Sequence, residues 1–276
     1  MADNIFNKKI CYENAEIVKY NRYKIGDHCV TMKHDLTEHQ HVVVYSPEQA
    51  AMCVELVTKI YADAPVSGAG HIVVEDTDSF GVQTDLVLNF ANARHPGGGY
   101  FSGATSQEES LCRQSTLYAS ISSEDAQIMY RHNKDVTELD TDYLLISPCV
   151  EVFRNRDCTL KEVPYTTAVA TMAAPDRGRR AAKVSDNRLK EYYRNRIRQL
   201  LCIAATWKYK NITLGAWGCG VFRNDPEEVA SAFRDILVNE GMAGFFDEVI
   251  FAIPKERGNH QNYDRDNYCV FRKIMQ

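Results

Sequence analysis

Glu108 and Glu109 stand side by side at the start of an apolar, helix-like run, directly after Gln107, which a seven-residue spacer separates from the triple glycine Gly97-Gly98-Gly99. Consecutive glycines strip the Cβ from a stretch of backbone, so a ligand can come close to its N–H donors. Two carboxylates delivered to the same place suit protonation of a leaving oxygen and stabilisation of a cationic sugar. The same residues have a plainer reading. Ser106-Gln107-Glu108-Glu109 spells a capping box, with Ser106 as N-cap and Glu109 as its reciprocal partner three residues on. The chemical reading is preferred, because a helix N-terminus behind a glycine tract binds anions whatever caps it.

A second glycine-rich loop follows the apolar run at 212–214: Gly215-Ala216-Trp217-Gly218-Cys219-Gly220-Val221-Phe222-Arg223-Asn224-Asp225-Pro226. It ends in a strong helix start, with Asp225 as N-cap, Pro226 at the first helical position and Glu227-Glu228 in the first turn. Successive N–H groups in such a loop could grip a diphosphate. The spacing is neither GxGxxG nor GxxxxGK[ST], so dinucleotide-binding Rossmann and P-loop assignments lack their fingerprint.

The elements that position these loops read as alternating strands and helices. Short β-branched runs at 86–90, 143–147, 165–172, 212–214 and 249–253 predict buried strands of a mostly parallel sheet. Helices are predicted from Glu108 to about Ser122, from Asp186 to Trp207 and from Pro226 to Glu240. Another starts at Ser46 and Pro47, with Gln49 completing its box and Ala50, Ala51, Val54, Leu56, Val57 and Ile60 as the apolar set. This is an α/β layered pattern, with ligands expected beyond the carboxyl ends of the strands. Residues 1–75 are expected to form a helical and strand extension packed on a catalytic core spanning 76–276.

Composition narrows the options. The chain has 276 residues, 45% of them hydrophobic, which favours one large domain. A net charge of −5 gives no global attraction to nucleic acid, so an anionic ligand must be held by local donors. Nine cysteines without a CxxC pair argue against zinc and against a disulfide framework, and a reduced, cytoplasmic protein is expected. No apolar stretch approaches a membrane span.

Four other features have plain readings. His39-Gln-His41 could bind metal by its alternate spacing, but no acid or cysteine cluster joins it. Cys219 could be a nucleophile, yet a small residue in a phosphate loop suffices to explain it. Nine Lys and Arg between Arg177 and Arg198 could track a polymer's phosphates, but they fall largely between the helically spaced Leu189, Tyr193 and Ile197 and read as a solvated face. Tyr263, Tyr268 and Phe271 are candidates to pack on an adenine, although aromatic residues there would ordinarily be core.

With both loops in hand, the chain resembles the microbial-type poly(ADP-ribose) glycohydrolases, a branch of the macrodomain superfamily. The resemblance rests on Val87-Leu88-Asn89-Phe90-Ala91-Asn92, His95-Pro96-Gly97-Gly98-Gly99, the seven-residue spacer, Gln107-Glu108-Glu109-Ser110-Leu111-Cys112-Arg113, and Leu214 through Phe222. It implies a three-layer α/β/α macrodomain with a mixed, mostly parallel sheet and an N-terminal extension, hydrolysing the ribose–ribose bond of ADP-ribose polymers without metal or cofactor. Glu109 matches the family's catalytic carboxylate and Glu108 the residue that holds ribose hydroxyls. Gly97, Gly98 and Gly99 match the first substrate loop, next to Gln107, and Asn92 occupies a ribose-contacting position. Gly218, Cys219, Gly220 and Val221 match the diphosphate loop, and Phe222 the aromatic that positions the distal ribose. Arg223 stands where many macrodomains continue with glycine. The implied ligands are ADP-ribose, poly(ADP-ribose) and ADP-ribosylated macromolecules, with no membrane and no obligate partner. Removal of single ADP-ribose units from protein or nucleic acid, and non-catalytic reading of ADP-ribose, are the alternatives.

Hydrolysis at an anomeric carbon needs a proton for the departing oxygen, negative charge near the sugar and a placed water. Glu109 is expected to move the proton while Glu108 stays charged and fixes the ribose. Neighbouring helix positions point about 100° apart, which predicts separate directions for the two side chains. A helix N-terminus favours ionised carboxylates, so binding of a negative diphosphate is expected to be what makes the site acidic.

Overall fold

The computed structural model describes residues 2–63, 70–136, 138–255 and 266–276. Tyr263 lies outside the described residues. In chain order the elements are α1 (Ala2–Tyr20), β1 (Arg22–Ile25), β2 (His28–Thr31), α2 (Leu36–Gln40), β3 (Val43–Tyr45), α3 (Pro47–Asp63), β4 (His71–Glu75), β5 (Leu86–Phe90), α4 (Gln107–Gln114), α5 (Leu117–Ile121), α6 (Gln127–Lys134), β6 (Leu144–Arg154), β7 (Leu160–Met172), α7 (Asp186–Thr206), β8 (Asn211–Leu214), α8 (Pro226–Arg234), β9 (Glu248–Ala252) and α9 (Asn267–Met275). Seven strands form one mixed sheet in the order β3-β6-β7-β5-β8-β9-β4, and β1 pairs with β2 alone. β4 with β9, β9 with β8 and β8 with β5 are parallel, whereas β6 and β7 form an antiparallel hairpin.

The chain divides into two compact units. One comprises Met1–Val44, Asn89–Asp135 and Leu145–Ala173; the other comprises Tyr45–Leu88, Val136–Leu144 and Ala174–Gln276. In the first unit α1 is stitched to the segment that carries the glutamates. Asn14 donates to the Arg113 carbonyl at 2.8 Å and accepts from Arg154 Nε at 2.8 Å, while the Cys11 thiol lies on the Tyr100 carbonyl at 3.2 Å. Buried polar groups left unmatched cost free energy, so these bonds fix α1 in place rather than merely decorating the contact.

Several predicted boundaries move for identifiable reasons. The helix expected from Glu108 to Ser122 breaks at Ser115, which forms a bridge to Val152; Thr116 N–H then donates to the Glu151 carbonyl at 3.0 Å. The strand expected at 143–147 runs on to Arg154 through Pro148, at a register shift between Ser147 and Val150, where a ladder tolerates proline. The helix starting at Pro226 is α-helical only to Arg234 and continues as a π-turn to Asn239. α3 begins as expected, with Ser46 and Gln49 exchanging both capping-box bonds. Its apolar set is only partly buried, however: Ala50 and Val57 are in the core, whereas Leu56 and Ile60 are more than half exposed.

The two glutamate-bearing helix starts differ in kind. Asp225 caps α8 through Glu227 N–H at 2.8 Å, but Ser106 makes no side-chain capping bond. Asp225→Ala should therefore cost about 1 kcal/mol, as lost N-caps do. Ser106→Ala should cost less than about 0.5 kcal/mol, a surface-like value. Urea midpoints of the two variants check this, and a Ser106→Ala loss as large as that of Asp225→Ala would restore the capping box.

Candidate active site

The predicted capping box is not what Glu109 makes. Instead of returning to Ser106, its Oε1 accepts the Gly99 N–H at 2.8 Å. Its Oε2 is buried with no hydrogen-bond partner among the described residues, and Glu109 as a whole is 7% exposed. A buried carboxylate oxygen without a donor is expensive to keep, and such groups concentrate where a ligand or reaction will supply the missing bond.

Glu108 is buried as well, at 3% exposure. Its Oε2 accepts the Asn92 N–H at 2.8 Å and its Oε1 accepts Asn89 Nδ2 at 3.3 Å. Both carboxylates lie against Gly98: a Cβ there would stand 2.6 Å from Glu109 Oε1 and 3.1 Å from Glu108 Oε2. The 100° separation of neighbouring helix positions therefore overstates how far apart the two groups work. The turn at 97–99, with Gly97 and Gly98 both at positive φ, folds over the helix start and draws both onto one glycine.

Burial pushes Glu108 up to about 8, with the charge of Glu109 adding to the rise, against the Asn92 and Gly97 N–H groups and the Asn89 amide, which favour the charged form. The expectation that Glu108 stays ionised is thus corrected. Desolvation outweighs its donors, and at neutral pH it largely holds a proton with which it can donate to a hydroxyl as well as accept from one.

The folded protein retains a proton on Glu108 that the unfolded chain releases above about 4.5. That contribution is complete below pH 4.5 and fades as pH rises toward 8, by at most about 1.4 kcal/mol per pH unit. Between pH 5 and pH 8 the parent protein should lose more stability than Glu108→Gln; equal losses in urea melts would remove the shift.

The flanking residues sort into clear tasks. Gln107 gives its side-chain carbonyl to the Phe90 N–H at 2.9 Å, tying the start of α4 to the end of β5. Asn92 accepts from the Arg94 and His95 N–H groups at 2.9 and 3.0 Å, which shapes the turn into the triple glycine and leaves its Nδ2 without a bond among the described residues. Sequence reasoning missed Asn89, which bonds Glu108 and Thr171. A fully buried amide in the middle of an otherwise apolar strand was the available signal.

The second loop is built in the other unit. Gly218 has φ +76°, and a Cβ there would meet Ala174 Cβ at 2.6 Å, Asn224 Nδ2 at 2.7 Å and the Tyr193 hydroxyl at 2.8 Å. Tyr193, predicted only as helix core, donates to the Trp217 carbonyl at 3.2 Å, and Asn224 donates to the carbonyls of Pro175 and Gly218 at 2.8 and 3.0 Å. The Cys219 thiol is buried against the Trp217 carbonyl at 3.8 Å. No described residue lies within 4 Å of where a Gly220 Cβ would be, so the described residues do not require glycine there. Val221 is exposed and Phe222 half-buried.

Other sequence features resolve differently. His39 is buried, with Nδ1 3.3 Å from the Cys149 carbonyl and Nε2 3.5 Å from Glu151, while His41 is exposed. No group of three or more His, Cys, Asp or Glu among the described residues is placed to hold a metal. No described helix is long and apolar enough to cross a membrane. Phe271 packs on Phe251 in the core and Tyr268 is buried.

The basic stretch is not a simple solvated face. Arg177 pairs with Asp186 and Glu228, Arg180 with Asp140, Arg188 with Glu138, Lys190 with Glu228, Arg194 with Asp235, Arg196 with Asp142 and Arg198 with Glu240. Arg196 is wholly buried and also donates to the Asp140 carbonyl at 2.8 Å.

The family model described as microbial-type PARG, catalytic domain, matches residues 13–155. Among curated proteins no sequence matches the chain significantly. Solved structures do. The crystal structure of poly(ADP-ribose) glycohydrolase (PARG) from Thermomonospora curvata is 30% identical, with a TM-score of 0.86 over 97% of this chain and 98% of that one. The same enzyme bound to the inhibitor ADP-HPD gives a TM-score of 0.84 with the same identity and coverage. The Deinococcus radiodurans PARG in complex with ADP-ribose is 32% identical, with a TM-score of 0.76 over 89% of this chain and 98% of that one. The family match takes in the triple glycine and both glutamates, the structural match extends to nearly the whole chain, and the chain therefore belongs to the microbial-type poly(ADP-ribose) glycohydrolases.

Proposed function

We propose that the chain, as a macrodomain-type glycohydrolase, cleaves the ribose–ribose O-glycosidic bond of poly(ADP-ribose) and releases ADP-ribose, with Glu109 as acid and base. The observation that carries this reading is the buried Oε2 of Glu109, which has no hydrogen-bond partner among the described residues, on a side chain held through its Oε1 by the Gly99 N–H. The relatives solved with ADP-ribose and with ADP-HPD support the ligand class.

In this reading Glu109 gives a proton to the departing ribose oxygen as the glycosidic bond breaks, and its carboxylate then faces the cationic anomeric carbon. Water adds to that carbon and returns a proton to Glu109. Glu108, largely protonated, exchanges hydrogen bonds with ribose hydroxyls, and the Nδ2 of Asn92 is free to join it. The N–H groups of Gly218 to Val221 take the diphosphate, and Phe222 lies against the distal ribose. The nine cysteines, none of them in a disulfide, support placement in the reducing cytoplasm.

Incubation with poly(ADP-ribose) of defined length, with products resolved by size, tests the assignment: monomeric ADP-ribose should accumulate and the polymer shorten. Release of ADP-ribose from mono-modified protein with polymer left intact would instead favour the mono-ADP-ribosyl hydrolase. ADP-ribose binding without any release would favour a reader.

A further inference from the structure

Asn89 lies in β5 and is wholly buried. Its Nδ2 is 3.3 Å from Glu108 Oε1 and 3.2 Å from Thr171 Oγ1, while its Oδ1 has no hydrogen-bond partner among the described residues. Both partners of this amide therefore lie on one side of it. An N–H donated to an ionised carboxylate closes to about 2.7 to 2.9 Å, so 3.3 Å is long for a charged Glu108. Thr171, also wholly buried, presents a hydroxyl that can either accept or donate.

The other oxygen of Glu108 fixes where a proton on this carboxyl must sit. Oε2 accepts the Asn92 N–H at 2.8 Å, so the acid hydrogen belongs on Oε1, which faces Asn89. A hydrogen there meets an N–H head-on unless the amide presents its oxygen. The terminal torsion of asparagine is broad and two-fold, and a half-turn exchanges Oδ1 and Nδ2 without moving the strand. Turned that way, Oδ1 has two lone pairs for two donors, the Glu108 acid and the Thr171 hydroxyl. In either orientation the end facing away is idle, so that cost largely cancels and the state of Glu108 decides between them. The other ionisable groups that face Glu108 among the described residues are Glu109 and Cys112 on its own helix and Tyr130 on α6. Burial pushes the thiol and the phenol up, so both stay neutral and Glu109 is left as the charged neighbour.

We propose that Asn89 is a positioning residue for Glu108: by turning over between Glu108 and Thr171, its amide gives an N–H to the carboxylate and a carbonyl to the acid, so that in the empty site the ribose-holding carboxyl keeps one place with or without its proton. The inference rests on the function proposed above and deepens it, because a carboxyl that stays in place is ready for a ribose hydroxyl in either state.

Glu108→Gln tests the turn without any ligand. Its side-chain carbonyl must stay on the Asn92 N–H, which leaves its NH₂ facing Asn89 as a permanent copy of the acid hydrogen. A turning amide meets it with oxygen, and the melting temperature at pH 6.5 should stay within about 4 °C of the parent. A larger drop would mean that Asn89 only donates, and overturns the proposal. Asn89→Asp and Asn89→Leu test the positioning at the same pH. Aspartate keeps the shape and can accept from both the Glu108 acid and Thr171, whereas leucine can do neither. Affinity for ADP-ribose should stay within about threefold of the parent in Asn89→Asp and fall about tenfold in Asn89→Leu. With poly(ADP-ribose) as substrate, the leucine variant should show its loss in KM rather than in kcat, because the residue acts through the carboxyl that holds ribose. An aspartate variant as weak as the leucine variant, or one that fails to fold where leucine folds, would show that no acid hydrogen is received at this position, and the proposal falls. Failure of the parent to bind ADP-ribose at all would instead strike at the function proposed above, and the Glu108→Gln melting comparison would still decide the amide.

Discussion

Glu109→Gln is expected to lower turnover of poly(ADP-ribose) by at least about 10² to 10⁴-fold, the range general acid–base groups supply, while ADP-ribose still binds with near-parent affinity. Glutamine keeps the shape of the side chain, and its carbonyl can still accept the Gly99 N–H that positions Oε1. What it loses is the ability to give and take a proton at the second position, where Oε2 is buried without a partner among the described residues. An amide NH₂ there is a donor only, so it can hold the leaving oxygen but cannot protonate it. The expected signature is a fall in kcat with little change in KM, which marks an interaction made in the transition state. Glu108→Gln should behave differently, raising KM along with its effect on kcat, because that carboxyl is assigned to ribose hydroxyls. Parent-like turnover by Glu109→Gln would remove Glu109 from the mechanism.

Much of both glycine loops was legible in the sequence because their parts are local. The triple glycine, the glutamate pair and the Asp225-Pro226 helix start each lie within a few residues, and glycine and proline restrict backbone geometry wherever they occur. Strand β5 falls at 86–90, where a short run of four apolar residues interrupted by Asn89 announced it. What could not be read was where side chains go. The residues around Ser106 fit a capping box, and only the fold over Gly98 turns Glu109 toward Gly99 instead. The protonation of Glu108 depends on complete burial against the neighbouring charge of Glu109, a property of packing that no spacing encodes. Asn89, Tyr193 and Asn224 were missed for a related reason, since each bonds a residue distant in the chain: Glu108, Trp217 and Pro175 respectively. The basic stretch shows the converse. Its charge was visible, but its acidic partners come from residues 138 to 142, 228, 235 and 240 as well as from its own turn.

Gly98→Ala should damage the enzyme as severely as loss of a catalytic group, although it adds only one methyl. Two costs act at the same atom. The backbone at Gly98 has φ +54°, so any Cβ there is strained by about 1 kcal/mol or more. That Cβ would also stand 2.6 Å from Glu109 Oε1 and 3.1 Å from Glu108 Oε2. Neither carboxylate can simply rotate away, since Glu109 is held by Gly99 N–H and Glu108 by Asn92 N–H, and both are buried. Relief must come from lifting the turn off the helix start, which breaks the Gly99 bond and shifts Oε2 by a distance on the order of 1 Å. Misplacement of that size costs about 10²-fold in rate. With overpacking of about 1 to 3 kcal/mol added to the backbone strain, stability should fall by about 2 to 4 kcal/mol. Gly220→Ala provides the internal contrast, because its Cβ meets nothing within 4 Å and its φ is not in the left-handed region; its stability should stay within about 0.5 kcal/mol of the parent. Urea melts and kcat for the two variants decide the matter. A Gly98→Ala protein that melts and turns over like the parent would mean that the glycine turn does not hold the carboxylates.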